Sequence, residues 1–208
     1  MPLLLTHGHA HCNEETVHAA IAGAVKRVFL DAGAPPTDVI LEATGLRRDR
    51  SRPGDVVWLR HGQDARHLVV DVSVAGVALD SMLAHASTPG YSGSKRAATK
   101  LSGDAASTDP VAARHQYVPF VLETGGRLDE HARTLLYELA RRAVHDGRLP
   151  PSAPPRAQPG VLVSAWVSHW LQCLSMALCF TRARLLRAAL ALDAHFSPGL
   201  AGPSSPLP

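Results

Sequence analysis

Two apolar runs, each containing a single aspartate, place the strongest constraint on how this chain can fold. Residues 52–74 read "RPGDVVWLRHGQDARHLVVDVSV", in which the runs DVVWLR and HLVVDVSV flank the polar loop HGQDA. Runs rich in β-branched residues and bounded by polar turns predict two strands. Because a strand seldom buries a carboxylate without a partner, the aspartates Asp55 and Asp71 require an explanation.

The two strands predict a hairpin centred on Gln63, which lies midway between Asp55 and Asp71. In an antiparallel hairpin with this centre, the aspartates face each other with Cβ atoms roughly 5 Å apart. Two carboxyls at that distance are tolerated when one is protonated or a cation lies between them. Such oxygen ligands suit Mg²⁺ or Mn²⁺, which can activate water and polarise a phosphoryl oxygen. Asp55 follows Pro-Gly, so a simple turn or strand-start role is the alternative for this residue.

The remaining patterns predict an α/β domain with a small mixed sheet. Apolar residues at helical spacing predict helices that begin after the N-caps Asn13 and Ser94. Pro119 has no backbone N–H, which predicts that its strand lies at the edge of the sheet or carries a bulge. In chain order the predicted elements are helix 14–30, strands 39–45, 55–60 and 67–74, helix 94–102, strand 117–124 and helix 127–144.

Composition divides the rest of the chain into a start, a linker, a helix and a tail. The formal net charge of +3 is a mild basic bias that is compatible with nucleic-acid binding. Three dispersed cysteines provide no disulfide framework, which favours an intracellular, reducing compartment. The predicted segments are a flexible His-rich start 1–13, a domain 14–146, a Pro-rich linker 147–160, an apolar helix 161–194 and a disordered tail 195–208.

The apolar helix raises the question of a membrane. Residues 161–180 contain no Asp, Glu, Lys or Arg and are long enough to span a bilayer. They also contain His169, Gln172 and three serines, so we expect a buried or docking helix without membrane insertion. Its apolar stripe would pack on the domain or on a second copy of the chain, which makes a homo-oligomer through residues 161–194 an open alternative.

The order of these elements and acids resembles the PD-(D/E)XK, or restriction-endonuclease-like, nuclease fold. The stretches RPGDVVWL, LVVDVSV, YVPFVLETGG and LDEHARTLLYELA are similar to a nuclease domain at the carboxyl end of eukaryotic retroelement reverse-transcriptase polyproteins. The resemblance covers roughly residues 12–145 and implies an αβββαβ core with a C-terminal helical appendage. It also implies a DNA endonuclease that depends on Mg²⁺ or Mn²⁺ and that acts in the nucleus.

The resemblance assigns the two aspartates to the metal. Asp55 matches the aspartate of the PD motif, with Gly54 inserted after Pro53, and Asp71 matches the acid of (D/E)XK. Glu15 lies where many members of this fold carry a further acid on the first helix, which makes it a third candidate ligand. Its alternative role is that of an ordinary glutamate near a helix start.

The lysine of the (D/E)XK motif is absent, because Ser73 occupies its position. In some members of this fold the lysine lies on the following helix, which makes Lys100 or Lys95 the candidate. Either lysine could instead be a solvated helix residue. Glu123 matches an acid that recurs in this subgroup, and a structural role at the end of its strand is the alternative.

Two further patterns supply candidate binding residues. The turn RRDRSR next to Asp55 could hold the phosphate backbone of DNA, or it could be a solvated basic turn. The start HGHAHC, followed by His18, could bind zinc, or it could be a disordered His-rich segment. The candidate DNA-binding residues are Arg47, Arg48, Arg50 and Arg52, and the candidate zinc ligands are His7, His9, His11 and Cys12.

Two functions remain open at the level of the sequence. The first is a metal-dependent DNA endonuclease derived from a retroelement. The alternative is a catalytically inactive nuclease-fold remnant that binds nucleic acid or a protein partner, and the missing motif lysine favours it. The position of a lysine nitrogen relative to Asp55 and Asp71 separates the two.

Overall fold

The computed structural model contains four α-helices and a four-stranded sheet in the part of the chain that it describes. It describes residues 7–43, 53–61, 66–76, 85, 87–105, 114–149 and 157–195, without the side chains of 7–14, 104–105 and 189–195. In chain order the elements are α1 (His7–Asp31), a 3-10 turn (Pro36–Asp38), β1 (Val39–Leu41), β2 (Val56–Trp58), β3 (His67–Ala75), α2 (Tyr91–Ala105), β4 (His115–Glu123), α3 (Glu130–His145) and α4 (Pro159–His195).

The sheet is mixed, with the strand order β1-β2-β3-β4. The first three strands are antiparallel neighbours, and β4 lies parallel to β3. The pair Val56↔Val70 fixes the register between β2 and β3, and continuing it outward sets Asp55 opposite Asp71. The hairpin register predicted from the symmetry about Gln63 is therefore confirmed, although the loop 62–65 lies outside the described residues.

Alternating side chains divide the sheet into two faces. On one face, β3 contributes Leu68, Val70 and Val72 to the main core, against which α1, α3 and α4 pack. The opposite face carries Asp71 and is covered by α2, whose Ala97 packs in a smaller cluster against β3 and β4. Asp71, Ser73 and Glu123 therefore lie between α2 and the sheet, away from the main core.

Pro119 lies in β4, which is an edge strand, as the missing backbone N–H predicts. The amphipathic helix predicted for 127–144 is α3, and its apolar face is buried. Asp129 is its N-cap, and the carboxylate accepts hydrogen bonds from the backbone N–H groups of His131 and Ala132.

Two predicted helix starts are wrong. Helix α1 begins at His7, within the segment expected to be flexible, so Asn13 is an interior residue and not an N-cap. Residues 9–12 contain neither glycine nor proline, and so nothing in them ends a helix. Helix α2 begins at Tyr91, so Ser94 is also an interior residue. The acceptor at this second helix start comes from β4, and a local reading of the sequence could not find it.

The predicted long apolar helix is α4, and its apolar stripe packs on the domain as expected. Buried side chains repeat at helical spacing and contact α1 and α3. By length and composition, Pro159–Ala188 would also be able to cross a bilayer, and it is the one such helix among the described residues. Met176 and Phe180 are exposed on its outer side. The buried stripe consists of Trp166, Val167, Trp170, Leu174 and Leu178.

Candidate active site

The two aspartates converge at one end of the β2–β3 hairpin. The backbone N–H of Asp55, the residue before β2, donates to the carbonyl oxygen of Val70 at 2.9 Å. Its carboxylate Oδ2 accepts from the backbone N–H of Val72 at 2.7 Å. Next to the start of β2, the backbone of β3 is thus hydrogen-bonded to both the backbone and the side chain of Asp55. Because Asp55 and Asp71 are opposite each other in the register of β2 and β3, this geometry places the two carboxyls side by side.

His18 of α1 is the hydrogen-bond partner of Asp55. Its Nε2 lies 3.0 Å from Oδ2 of Asp55, whose side chain is 13% exposed, while that of His18 is 32% exposed. The hydrogen bond to Asp55 raises the pKa of His18 above 6.5, and burial opposes this effect without cancelling it.

The Asp55 carboxyl is held in its ionised form. Burial is the strongest single influence and raises its pKa. The hydrogen bond and charge of His18, the Val72 N–H and the contact with Asp71 together outweigh burial and lower the pKa below 3.8. Asp55 is therefore a carboxylate at neutral pH, which suits it to hold a cation.

Asp71 makes short hydrogen bonds to a lysine and a tyrosine. Lys100 of α2 places Nζ 2.5 Å from Oδ1, and the hydroxyl of Tyr117 donates to Oδ2 at 2.5 Å. The Lys100 side chain is only 15% exposed, and its charge lowers the pKa of His18. The ammonium therefore lies within electrostatic reach of both acids.

Of the two candidate lysines, only Lys100 reaches the acids. Lys95 places its ammonium 5.9 Å from the centre of the Tyr91 ring on the same helix. Five residues correspond to about 500° of helical rotation, so the two lysines leave α2 on different sides. Lys100 is therefore the one of the two candidate lysines that contacts an acid of the site.

A polar stripe on α2 faces the sheet. Its members are Ser92, Arg96 and Lys100, which are four residues apart and therefore share one side of the helix. Ser92 donates to Oε1 of Glu123 at 2.8 Å. Arg96 donates from Nε to Oγ of Ser73 at 3.3 Å. With the Lys100–Asp71 ion pair, each member of the stripe contacts a polar side chain of β3 or β4.

Glu123 anchors the first turn of α2. Its Oε1 accepts from the Ser92 hydroxyl and from the backbone N–H of Gly93 at 3.0 Å, and the carboxyl is buried. A Cβ on residue 93 would lie only 3.3 Å from that oxygen, so glycine permits the close approach. The anchoring role agrees with the structural alternative for Glu123, and it fixes the helix that carries Lys100.

Glu123→Ala should lower the free energy of unfolding by about 1–3 kcal/mol, because a buried hydroxyl and a helix-terminal N–H lose their acceptor. Glu123→Gln keeps a carbonyl acceptor and should cost less. Glu130→Ala is the control, since Glu130 is exposed and its ion pair is with Arg133, which lies three residues further along the same helix. Urea denaturation followed by circular dichroism measures all three, and equal losses for Glu123→Ala and Glu130→Ala would contradict the anchoring role.

Of the remaining predicted site residues, the structure describes the side chain of Glu15, which does not join the two aspartates. Glu15 is exposed on α1, one turn before His18. Within the described residues, no group of three or more His, Cys, Asp or Glu side chains could hold a metal ion. The basic turn Arg47, Arg48, Arg50 and Arg52 lies outside the described residues, as do the side chains of His7, His9, His11 and Cys12.

Sequence reasoning missed Arg96 and Tyr117, and it considered His18 only as a possible zinc ligand. His18 follows Glu15 by three positions and so shares its helical face, which was the signal available for it. Tyr117 opens the run YVPFVLET, and Arg96 lies four residues before Lys100 on the predicted helix. Their relevance depends on contacts between distant parts of the chain.

Comparison with known proteins adds no relative. No family model matches this chain, and no curated protein is detectably similar to it in sequence. The functional argument accordingly rests on the geometry of Asp55, Asp71 and Lys100.

Proposed function

We propose that this chain is a metal-dependent DNA endonuclease of the PD-(D/E)XK kind, derived from a retroelement and acting in the nucleus. The observation that carries the proposal is the contact of Lys100 with Asp71 beside the converging carboxyl of Asp55. The order α1-β1-β2-β3-α2-β4 also supports it, because Asp55 directly precedes the second strand, Asp71 lies on the third and the lysine lies on the following helix.

The two carboxyls fit a small hard cation. The protein supplies two carboxylates and no third ligand among the described residues, and Mg²⁺ is commonly bound by one or two carboxylates together with water and substrate phosphate. The low pKa of Asp55 keeps one of the two charged at neutral pH. When bound there, Mg²⁺ or Mn²⁺ would polarise the scissile phosphate and favour deprotonation of the attacking water.

The protein's own residues have separate tasks in this proposal. Asp55 and Asp71 provide the oxygens that neutralise the cation. The Lys100 ammonium offers three N–H donors, of which Asp71 needs one, so the others can orient the attacking water or stabilise charge on the phosphate. His18 fixes the orientation of the Asp55 carboxyl through its hydrogen bond.

The alternative is a catalytically inactive descendant that binds nucleic acid or a protein partner. One observation favours it: both oxygens of Asp71 already have protein partners, Lys100 and Tyr117. A cation at this carboxylate would compete with the ion pair for the same oxygen. The inactive descendant would keep this network as a structural feature of the sheet.

Nicking of supercoiled plasmid by the purified full chain tests the proposal. We expect nicked circles with Mg²⁺ or Mn²⁺ and none in EDTA, because the carboxylate pair needs the cation to activate water. Restoring Mn²⁺ after EDTA should restore nicking, which controls for irreversible damage to the protein. Binding of DNA without cleavage in either metal would establish the inactive alternative.

A further inference from the structure

Arg96 is the one member of the α2 stripe whose contact leaves most of its donors available. Its Nε donates to the Ser73 hydroxyl, and the remaining guanidinium N–H groups have no acid partner among the described residues. Lys100, one turn further along the helix, is by contrast paired with Asp71. The Arg96 side chain is exposed and so accessible to a ligand.

The position of Ser73 ties Arg96 to the acids. Ser73 is buried and lies two residues after Asp71, so the two side chains share the sheet face covered by α2. The hydrogen bond from Arg96 therefore holds a guanidinium beside the Asp71–Lys100 pair. A positive charge therefore lies at Ser73 on β3, two residues from Asp71, where the acids converge.

We propose that Arg96 is a phosphate-binding residue that holds the backbone of DNA beside Asp55 and Asp71; this inference rests on the proposed endonuclease function. A guanidinium carries a planar fork of donors that matches the two non-bridging oxygens of a phosphodiester. The Ser73 contact uses the inner nitrogen and leaves the fork for the phosphate. Anchoring one nitrogen also lowers the conformational entropy that the long side chain loses on binding.

Binding of a fluorescein-labelled DNA duplex in EDTA, followed by anisotropy over a series of salt concentrations, tests this assignment without requiring cleavage. Arg96→Ala should make the negative slope of log K against log salt shallower by about one, the value for one lost phosphate contact. Lys95→Ala is the matched control, since it removes the same charge from the neighbouring residue, whose ammonium lies at the Tyr91 ring. Its slope should stay close to that of the wild type.

Arg96→Lys should keep the salt slope, because the charge remains, yet bind the duplex less tightly than the wild type, because the planar fork is lost. Circular dichroism should show folded protein for every variant, since residue 96 is exposed on a helix where alanine is favourable. The same variants are then assayed for plasmid nicking with Mn²⁺, where Arg96→Ala should be slower than Lys95→Ala.

Equal slopes for Arg96→Ala and Lys95→Ala would overturn the assignment, as would a wild-type protein that does not bind the duplex. A wild type that never nicks DNA, combined with a slope loss confined to Arg96→Ala, would refute the endonuclease and retain Arg96 as a phosphate contact. The two proposals therefore fail separately.

Discussion

Asp71→Ala should reduce metal-dependent nicking by at least about 10³-fold, because the site then loses one of its two carboxylates and the Lys100 ammonium loses its partner. Asp71→Asn should be nearly as damaging, since it keeps the shape and removes the negative charge. Plasmid nicking with Mn²⁺ under single-turnover conditions measures both. Asp55→Ala should have an effect of the same order, although it also deprives the Val72 N–H of its acceptor.

Loss of folding must be distinguished from loss of chemistry. Asp146→Asn is the matched control, because it makes the same chemical change in a half-exposed residue at the end of α3, on the other side of the sheet. Circular dichroism and thermal melting should show that Asp71→Asn is folded. A folded Asp71→Asn protein that nicks DNA at the rate of Asp146→Asn would rule out the proposed carboxylate pair.

The hairpin could be predicted from sequence because its information is local. Two apolar runs of β-branched residues and a short polar loop fix a centre, and the centre fixes which residues face each other. The confirmed pair Val56↔Val70 follows from this symmetry alone. For the same reason the sequence could indicate that Asp55 and Asp71 converge before any tertiary contact was known.

The start and the orientation of α2 could not be predicted, because both depend on the distant residue Glu123. Glu123 accepts a hydrogen bond from the N–H of Gly93, which lies 30 residues away in the chain. The sequence next to the helix therefore does not reveal the residue that caps it. The rotation of α2 about its own axis then decides whether Lys95 or Lys100 faces the sheet. The pairing of His18 with Asp55 was missed for a similar reason, as the two residues are 37 positions apart in the chain.

Lys100→Ala should lower the nicking rate by about 10²- to 10⁴-fold, the range for loss of a single proton-transfer or charge-stabilising group. Lys95→Ala should stay close to wild type, since that ammonium lies against Tyr91. The pair is well matched, because both changes remove one lysine from the same helix. Single-turnover nicking with Mn²⁺ compares the two variants with the wild type.

The cause of the loss can be resolved by titrating Mn²⁺. Removal of Lys100 frees an oxygen of Asp71, so Lys100→Ala should need no more Mn²⁺ for half-maximal nicking than the wild type, although its maximal rate is lower. Asp71→Asn, by contrast, should need more Mn²⁺ because a ligand is gone.

If Lys95→Ala were the damaging change, the carboxylate pair would stand and α2 would have to present its other side to DNA. If neither lysine mattered while Asp71→Asn abolished nicking, the two carboxylates would act without a lysine, and Arg96 would be the remaining cation of the α2 stripe close enough to replace it.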